Sequence, residues 1–279
     1  MTTTATAAPA AIALADDPAA IKTAVRRRYA EIALGGGACC GGDGASTCCG
    51  PAAESGAATT GSTCCGTAAT LVDYGELTAD IVAAADLGLG CGLPTRHAAI
   101  QPGETVLDLG SGAGIDAFIA ARAVGPAGRV IGVDFTPAMI ERARANAESA
   151  GFANVAFRHG DVEDLPVDAG TVDLVLSNCV LNLVPDKARA FAEIRRVLRP
   201  GGRFVVSDVV SFGPVPAAVR QDMALWSGCI AGAMDRDAYL DLIRAAGFGD
   251  VAVVASTAYD AFRGDDHGLM SVTVRGVKP

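Results

Sequence analysis

Strand-like and helix-like segments alternate from Thr105 onward, and this alternation constrains the fold more than any other feature. The segment 105–110 (TVLDLG) precedes a helical pattern at 115–124, and 129–134 (RVIGVD) precedes another at 137–151. The strand-like segments are apolar and rich in β-branched residues, which is typical of strands covered on both faces. Strands that alternate with helices in this way predict a parallel sheet with helices on each side.

The remaining segments extend the same pattern to seven strands. Further strand-like segments lie at 155–161, 172–178 and 203–210, and helical patterns lie at 185–198, 217–233 and 235–248. The last two apolar segments, 251–256 and 270–276, are expected to pair and complete one edge of the sheet. The predicted fold class is therefore α/β, with a doubly wound, mostly parallel seven-stranded sheet of the Rossmann-like type.

An extension precedes this core. Residues 17–34 have apolar positions at helical spacing behind Asp17 and Pro18, which predicts a capped helix that packs on the core or acts as a lid. A short helix is expected at 76–86. We divide the chain into three parts: an N-terminal helix with a cysteine-pair-rich segment (1–72), the α/β core (73–212), and C-terminal helices and strands (213–279) that contribute to the substrate site.

Composition excludes several classes of partner. The net charge of −9 opposes binding to nucleic acid or to an anionic membrane surface, and 51% apolar residues suffice for a large core. No charge-free run of eighteen strongly apolar residues is present, and the N-terminus lacks the basic region of a secretory signal. We expect a cytoplasmic monomer that acts on a small molecule.

The most specific motif is VLDLGSGAG at 106–114. Its glycines follow a strand and open a helix, where backbone amides can approach a ligand closely. The spacing is G-x-G-x-G, and Ile115 occupies the place of the third glycine of a dinucleotide motif, which disfavours NAD. Asp134 closes the second strand, where a carboxylate can bind both ribose hydroxyls, and Asp161 follows the third. These signals predict a nucleoside crevice.

Nine cysteines are present, an unusual number for a chain that otherwise has a cytosolic composition. Six form the adjacent pairs Cys39–Cys40, Cys48–Cys49 and Cys64–Cys65, within a segment rich in glycine and alanine that has no strand or helix periodicity. Two interpretations of the pairs remain open: capture and redox relay for the site, or a tether without a role. The other three are isolated in ordered sequence: Cys91, Cys179 and Cys229.

The ordered motifs resemble a known family. Residues 105–210 are similar to class I S-adenosylmethionine-dependent methyltransferases. The wider set DYG, GLGCGLP, VLDLGSGAG, VDFTPAM, SNCVLNL and WSGCIAGA, across residues 73–234, resembles the arsenite methyltransferases. The chain departs from this family at Ala117, where many members have cysteine. The resemblance implies S-adenosylmethionine as the cofactor and arsenite and methylated trivalent arsenicals as substrates, with thioredoxin or glutathione as the reductant.

The resemblance also implies roles for individual residues. Glycines 110, 112 and 114 would cradle the methionine end of the cofactor, Asp134 would bind the ribose, and Asp161 and Val162 would contact the adenine. Asn178 would lie under the methionine moiety through its backbone. The complete set of implied cofactor residues is Asp108, Gly110, Gly112, Gly114, Asp134, Phe135, Met139, Asp161, Val162 and Asn178. The implied ligands of trivalent arsenic, which are also the implied catalytic residues, are Cys91, Cys179 and Cys229.

The chemistry of the three thiols agrees with this role. Soft, thiophilic As(III) prefers thiolates to imidazoles or carboxylates. The three cysteines are too far apart in sequence for a local zinc knuckle, although a long-range thiolate zinc site stays open. Cys179 or Cys229 alone is better explained as an ordinary buried residue; it is the two together, with Cys91 in its glycine turn, that favour ligation.

Two other functions remain open from the sequence. A methyltransferase for a small organic acceptor would use the same cofactor residues but would need a base or an aromatic pocket, and the candidates, Tyr74 and Trp226, are interpreted as packing residues. A thiol-based metalloid-binding protein would trap arsenite without consuming S-adenosylmethionine. His97, His159 and His267 lack partners at metal-ligand spacing and are interpreted as surface residues.

Overall fold

A sheet of seven strands organises the chain. The computed structural model describes residues 17–35, 74, 83–213, 232–259 and 267–279. The strands are β1 (Thr105–Leu109), β2 (Arg129–Asp134), β3 (Val155–His159), β4 (Val172–Asn178), β5 (Leu198–Phe212), β6 (Gly249–Tyr259) and β7 (Gly268–Val277). The helices are α1 (Pro18–Ala33), α2 (Pro94–His97), α3 (Ile115–Val124), α4 (Pro137–Ser149), α5 (Lys187–Val197) and α6 (Arg236–Ala245), with 3₁₀ turns at Ala83–Ala85 and Leu181–Leu183.

The strand order is β3-β2-β1-β4-β5-β7-β6. The first five strands are parallel, whereas β7 lies antiparallel between β5 and β6. The predicted fold class is confirmed, including the pairing of the last two strands at one edge. Because the chain reverses its direction of winding between β1 and β4, a crevice opens at the carboxyl ends of these two strands.

Side chains that alternate along the strands build a core on each face of the sheet. Leu107 and Leu109 contribute to the core that is covered by α5 and α6, whereas Val106 contributes to the core under α3 and α4. On the latter face, the ring of Phe118 stacks on that of Phe152 with centroids 4.7 Å apart. Both faces are thus buried, as the apolar strand sequences require.

Helix α1 begins as predicted. The side chain of Asp17 accepts a hydrogen bond from the amide of Ala19, and Pro18 occupies the first turn. Ile21 and Val25 are buried, and Arg142 of α4 donates a hydrogen bond to the carbonyl of Ala33. The predicted N-terminal helix therefore packs on the α/β core.

Several predicted segments differ at their ends. Strand β3 stops at His159, before the predicted end at residue 161, and β5 starts at Leu198 rather than at residue 203, because it follows α5 without a loop. Within the predicted helix at 76–86, the structure describes residues 83–86, of which Ala83–Ala85 form a 3₁₀ turn. His97 lies at the end of α2, exposed to solvent.

Other predictions lie outside the described residues. These are the three adjacent cysteine pairs, the segment 75–82, and residues 217–231 of the predicted helix 217–233, with Trp226 and Cys229. Among the helices that the structure describes, none combines the length and the apolar character needed to cross a membrane.

Candidate active site

A crevice of about 1040 Å³, partly open to solvent, lies at the carboxyl ends of β1, β2 and β4. Strands β1 and β4 end in the loops that form its floor, and α1 lies over one side. Eight of the ten residues that the sequence predicted for the cofactor line this crevice: Asp108, Gly110, Gly112, Asp134, Phe135, Asp161, Val162 and Asn178.

The other two lie elsewhere. Gly114 adopts a φ of 103° as the N-cap of α3, and a Cβ at this position would lie 2.8 Å from the ring of Phe118. Met139 is 0% exposed in α4 and belongs to the interior. We call residues 110–114 the glycine loop. The structure therefore places both Gly114 and Met139 in the packing behind the surface that this loop presents to the crevice.

Gly110 brings the loop close to the end of β4. Its φ is +61°, in the left-handed region, and a Cβ here would collide with the side chain of Val180. Any other residue at position 110 would therefore have a strained backbone, and its side chain would push the loop away from Val180.

Asp134 braces the same loop from the end of β2. Its two carboxylate oxygens accept hydrogen bonds from the amides of Gly112 (3.0 Å) and Thr136 (2.8 Å). Burial raises the pKa of this carboxyl, although the two amides oppose the shift. Asp134 thus holds the glycine loop in place, and it still lines the crevice where a ribose is expected.

Helix α1 closes the other side through an ion-pair cluster. Lys22 Nζ lies 2.6 Å from Asp161 Oδ2 and also contacts Glu163, and Arg26 lies 5.4 Å from the ring centroid of Phe135. Burial is the largest single influence and raises the pKa of Asp161, but the hydrogen bonds from Lys22 and from the Glu163 amide, together with the charges of Lys22 and Arg189, outweigh it, so the pKa of Asp161 is lowered. An N-terminal helix therefore contacts the carboxylate predicted to recognise adenine.

Replacing Lys22 by methionine is expected to loosen α1. The variant leaves the carboxylates of Asp161 and Glu163 side by side without their cation, and because the pair is partly exposed we expect a loss of ~1 kcal/mol. Amide hydrogen exchange over residues 21–33 should become about fivefold faster, since about 1.4 kcal/mol corresponds to tenfold. Exchange in β1 and β4 should not change.

Arg27→Met on the same helix is the matched control. Arg27 pairs with Glu31, and both side chains are largely exposed, so this variant should leave the exchange of α1 within twofold of the parent protein. Equal exchange rates in the Lys22 and Arg27 variants would show that the ion-pair cluster does not hold the helix.

Two buried carboxyl groups, those of Asp108 and Asp116, line the crevice. Asp108 Oδ2 and Asp116 Oδ1 have no hydrogen-bond partner within the described residues. Burial raises the pKa of Asp108, and the nearby carboxylates of Asp116 and Asp134 raise it further. The pKa of Asp116 is raised to about 6, again chiefly by burial. A cation bound here would relieve the cost of burying these charges.

Tyr74 and Asp116 are site residues that sequence reasoning missed. The Tyr74 hydroxyl donates to Asp116 Oδ2 at 3.1 Å, and both residues line the crevice. Tyr74 is predicted to be a packing residue, and its side chain does belong to the core under α3 and α4, but its hydroxyl also binds Asp116 and Asn178. A carboxylate in the first turn of α3, two residues after Gly114, was a signal available in the sequence for Asp116.

Cys91 and Cys179 meet at a single carbonyl oxygen. The amide of Cys179 donates to Ser207 O at 2.7 Å, and Cys91 Sγ lies 3.5 Å from the same atom. The two cysteines are 6% and 7% exposed and share an apolar cluster with Val209 and Leu269. Cys179 also lines the crevice. The structure thus places two of the three predicted cysteines in one buried cluster beside the crevice.

The backbone around both cysteines is specialised. Cys179 has a φ of +61°, an uncommon conformation for a residue other than glycine. Beside Cys91, a Cβ on Gly90 would lie 2.9 Å from Asn178 Nδ2, and one on Gly92 would lie 2.5 Å from Ser207 Oγ. The glycines on either side of Cys91 therefore let its turn press against the ends of β4 and β5.

The third predicted thiol, Cys229, lies outside the described residues. Within those residues, no three histidine, cysteine, aspartate or glutamate side chains are grouped closely enough to hold a metal ion. The three-thiol set therefore stays a prediction, and so does the alternative of a long-range zinc site.

Comparisons with known proteins identify relatives of this chain. Residues 100–247 match the methyltransferase domain family. An arsenite methyltransferase from Halobacterium salinarum is 44% identical over 270 residues, which cover 94% of this chain and 68% of that protein. An arsenite methyltransferase from Aquipseudomonas alcaligenes is 42% identical over 172 residues, or 59% of this chain and 49% of that protein. The chain thus spans between half and about two thirds of these relatives.

A solved structure supports the same relationship. The crystal structure of an arsenic(III) S-adenosylmethionine methyltransferase from Chlamydomonas reinhardtii superposes with a TM-score of 0.61 at 35% identity. The match covers 74% of this chain and 71% of that one.

Proposed function

The chain belongs to the arsenite methyltransferase family, and we propose that it transfers methyl groups from S-adenosylmethionine to trivalent arsenic held by cysteine thiolates, for arsenic detoxification. One observation carries the arsenic part of this proposal. Cys91 and Cys179 are far apart in sequence, yet both belong to one buried apolar cluster, and the Cys91 thiol and the Cys179 backbone amide contact the same atom, Ser207 O. A methyltransferase for an organic acceptor gives no reason for two buried cysteines to lie together at this place.

The crevice residues fit S-adenosylmethionine. The buried carboxyl groups of Asp108 and Asp116 suit the positively charged methionine end, and each has an oxygen without a hydrogen-bond partner among the described residues. Asp134 lies where it can accept the ribose hydroxyls, and Asp161 and Val162 line the side expected for adenine. When bound, S-adenosylmethionine supplies a methyl group on a positively charged sulfur, which the lone pair of arsenic can attack without a general base.

The protein contributes mainly by holding the reactants and excluding water. Cys91 and Cys179 lie in an apolar cluster, so an arsenic atom bound to their sulfurs is shielded from solvent, with Cys229 proposed as the third ligand. Soft sulfur ligands leave the arsenic lone pair available toward the crevice. Because no proton has to be removed from arsenic, the site needs no catalytic histidine.

A reductant completes the cycle. Methyl transfer to the lone pair formally oxidises arsenic from the trivalent to the pentavalent state, and a dithiol returns two electrons as it becomes a disulfide. We propose thioredoxin or glutathione as the source of these electrons, a cytoplasmic location and a monomeric state. We also retain the division into residues 1–72, 73–212 and 213–279.

A single assay tests the function. The purified chain is incubated with arsenite, methyl-labelled S-adenosylmethionine and a thiol reductant, and the arsenic species are separated and counted. We expect labelled methylarsenicals that increase with time and exceed the amount of protein. Omission of the reductant should slow turnover after the first methyl transfer, because arsenic then remains oxidised.

The outcomes separate the alternatives. Arsenite that binds in stoichiometric amount without methylated product would identify a thiol-based binding protein. Label that reaches an added small organic acceptor but never arsenic would identify the other class of methyltransferase. Either result would overturn the proposed function.

A further inference from the structure

The side chain of Asn178 occupies the point between the crevice and the cysteine pair. Asn178 ends β4, directly before Cys179, and it is partly buried. The sequence predicted that it would serve the cofactor through its backbone. Its side-chain amide, however, points to a different segment of the chain, the turn that carries Cys91.

The side-chain amide of Asn178 binds the backbone of this turn through both its oxygen and its nitrogen. Oδ1 accepts hydrogen bonds from the amides of Cys91 (3.1 Å) and Gly92 (3.3 Å), and Nδ2 donates to the carbonyl of Gly92 at 2.9 Å. Ser271 Oγ of β7 donates to the carbonyl of Cys91, but none of the described strands pairs regularly with the amides of Cys91 and Gly92. Asn178 therefore replaces the backbone partners that a strand would have provided.

The same amide also contacts the crevice wall. Nδ2 lies 2.8 Å from the Tyr74 hydroxyl and 3.0 Å from Asp116 Oδ2. Tyr74 and Asp116 both line the crevice. One side chain thus connects the wall of the methyl-donor site to the backbone of a predicted arsenic ligand.

We propose that Asn178 is a positioning residue, whose side chain holds the Cys91 turn against Cys179 so that both sulfurs are ready to bind arsenic beside the methyl donor. The inference rests on the proposed function, because it assigns Asn178 a task within that same site. Asn178 touches neither the arsenic nor the transferred methyl group in this role; it acts through Cys91.

Several hydrogen bonds depend on this one amide. Asn178→Ala would leave the amides of Cys91 and Gly92 without their acceptor, and Asp116 would lose one of its two donors. Buried groups left unsatisfied are costly, so the turn should move to find other partners. Once the turn moves, Cys91 no longer meets Cys179 at Ser207 O. We expect arsenite to bind about tenfold to a hundredfold more weakly, since several hydrogen bonds to the turn are lost together.

The primary experiment measures arsenite binding without turnover. The parent protein, Asn178→Ala and Asn154→Ala are equilibrated with arsenite in the absence of S-adenosylmethionine, and bound arsenic is counted after filtration. Asn154 is a matched control, because its Nδ2 also makes two hydrogen bonds to backbone carbonyls, those of Ala121 and Gly125, far from the crevice. Asn154→Ala should bind arsenite like the parent protein.

A conservative variant gives a readout that loss of stability would not produce. Asn178→Asp keeps an oxygen that can accept the hydrogen bonds from the Cys91 turn, but it places a carboxylate against that of Asp116. The Tyr74 hydroxyl lies beside the same pair, and the other acids nearby are Asp108 and Asp86. In the parent protein burial raises the pKa of Asp116 to about 6 although the Asn178 amide lowers it, and a carboxylate in place of that amide raises it further, so the two carboxylates repel at high pH and can share a proton at low pH. Relative to the parent protein, arsenite affinity should be reduced about tenfold at pH 8 and recover at pH 5.5.

A further variant disturbs the same contact from the other side. Gly90→Ala puts a methyl group 2.9 Å from Asn178 Nδ2 and 3.1 Å from the Tyr74 hydroxyl, so the amide must shift. It should also weaken arsenite binding, and it serves in place of Asn178→Ala if that variant does not fold.

The results separate this inference from the proposed function. If the parent protein does not bind arsenite, the proposed function fails. If the parent protein binds arsenite but Asn178→Ala or Gly90→Ala binds it equally well, or if the deficit of Asn178→Asp is the same at both pH values, the positioning role is overturned while the function stands.

Discussion

Cys179→Ser is expected to abolish methylation of arsenite while S-adenosylmethionine still binds. A serine hydroxyl is a hard, weakly acidic group that cannot replace a thiolate as a ligand of trivalent arsenic. The substitution should otherwise be mild, because serine has nearly the same shape and the amide at this position can still donate to Ser207 O. We expect turnover to fall by about a hundredfold or more, which corresponds to roughly 2.7 kcal/mol in the barrier.

Cofactor affinity and thermal stability are the controls for this variant. Titration calorimetry with S-adenosylmethionine should give the same affinity as the parent protein, and the melting temperature should shift little. Cys91→Ser should behave alike, because its hydroxyl can keep the contact with Ser207 O that the thiol makes. Normal turnover in Cys179→Ser would contradict a site shared by the thiols, since Cys179 is the described cysteine that lines the crevice.

Asp134→Ala is expected to weaken S-adenosylmethionine binding by about a hundredfold. A charge-assisted hydrogen bond to a ribose hydroxyl is worth roughly 1.5–3 kcal/mol, and the alanine variant loses it. It also removes the partner of the Gly112 amide, so the glycine loop loses the brace that holds it in the crevice. Titration calorimetry without arsenite measures the effect directly.

Asp173→Ala provides the matched control. Asp173 also accepts a hydrogen bond from a backbone amide, that of Thr105, and it pairs with Arg199, but it lies at the opposite end of the same parallel strands. This variant should lower stability and leave cofactor affinity intact. Cofactor affinity that is undiminished in Asp134→Ala would count against the assignment of the crevice.

The end of β4 serves three parts of the site with three successive residues. Asn178 contacts the Cys91 turn, Cys179 presents a thiol at the crevice, and Val180 packs where Gly110 leaves room. The positive φ of Cys179 turns the backbone sharply between Asn178 and Val180. A shift of this short segment would therefore disturb the thiol pair and the glycine loop together.

Much of the fold was predictable because it follows from local patterns. The bounds of α3, β2 and β4 coincide with the segments read from the sequence, since buried parallel strands and amphipathic helices have distinct periodicities and glycines mark their ends. The junction of α5 and β5 was less predictable, because the two elements meet at Leu198 without a turn signal.

The candidate site was predictable only where a motif lies on consecutive residues. The glycine loop, Asp134 at the end of β2 and Asp161 after β3 could be predicted because the carboxyl ends of parallel strands meet at one edge of the sheet. Met139 was part of such a motif, yet the structure places it in the interior, since a motif does not specify which side of α4 a side chain faces.

By itself, the sequence determined the order of strands and helices, the glycine loop, and a set of isolated cysteines that suit a soft ligand. Only the tertiary structure decided that Cys91 meets Cys179 at Ser207 O, that the Asn178 amide holds the Cys91 turn, and that Lys22 contacts Asp161. The physical reason is the range of these contacts. Helix and strand formation depends on neighbours a few residues apart, whereas these hydrogen bonds join groups 87 to 139 residues apart, whose distances depend on how the whole sheet packs.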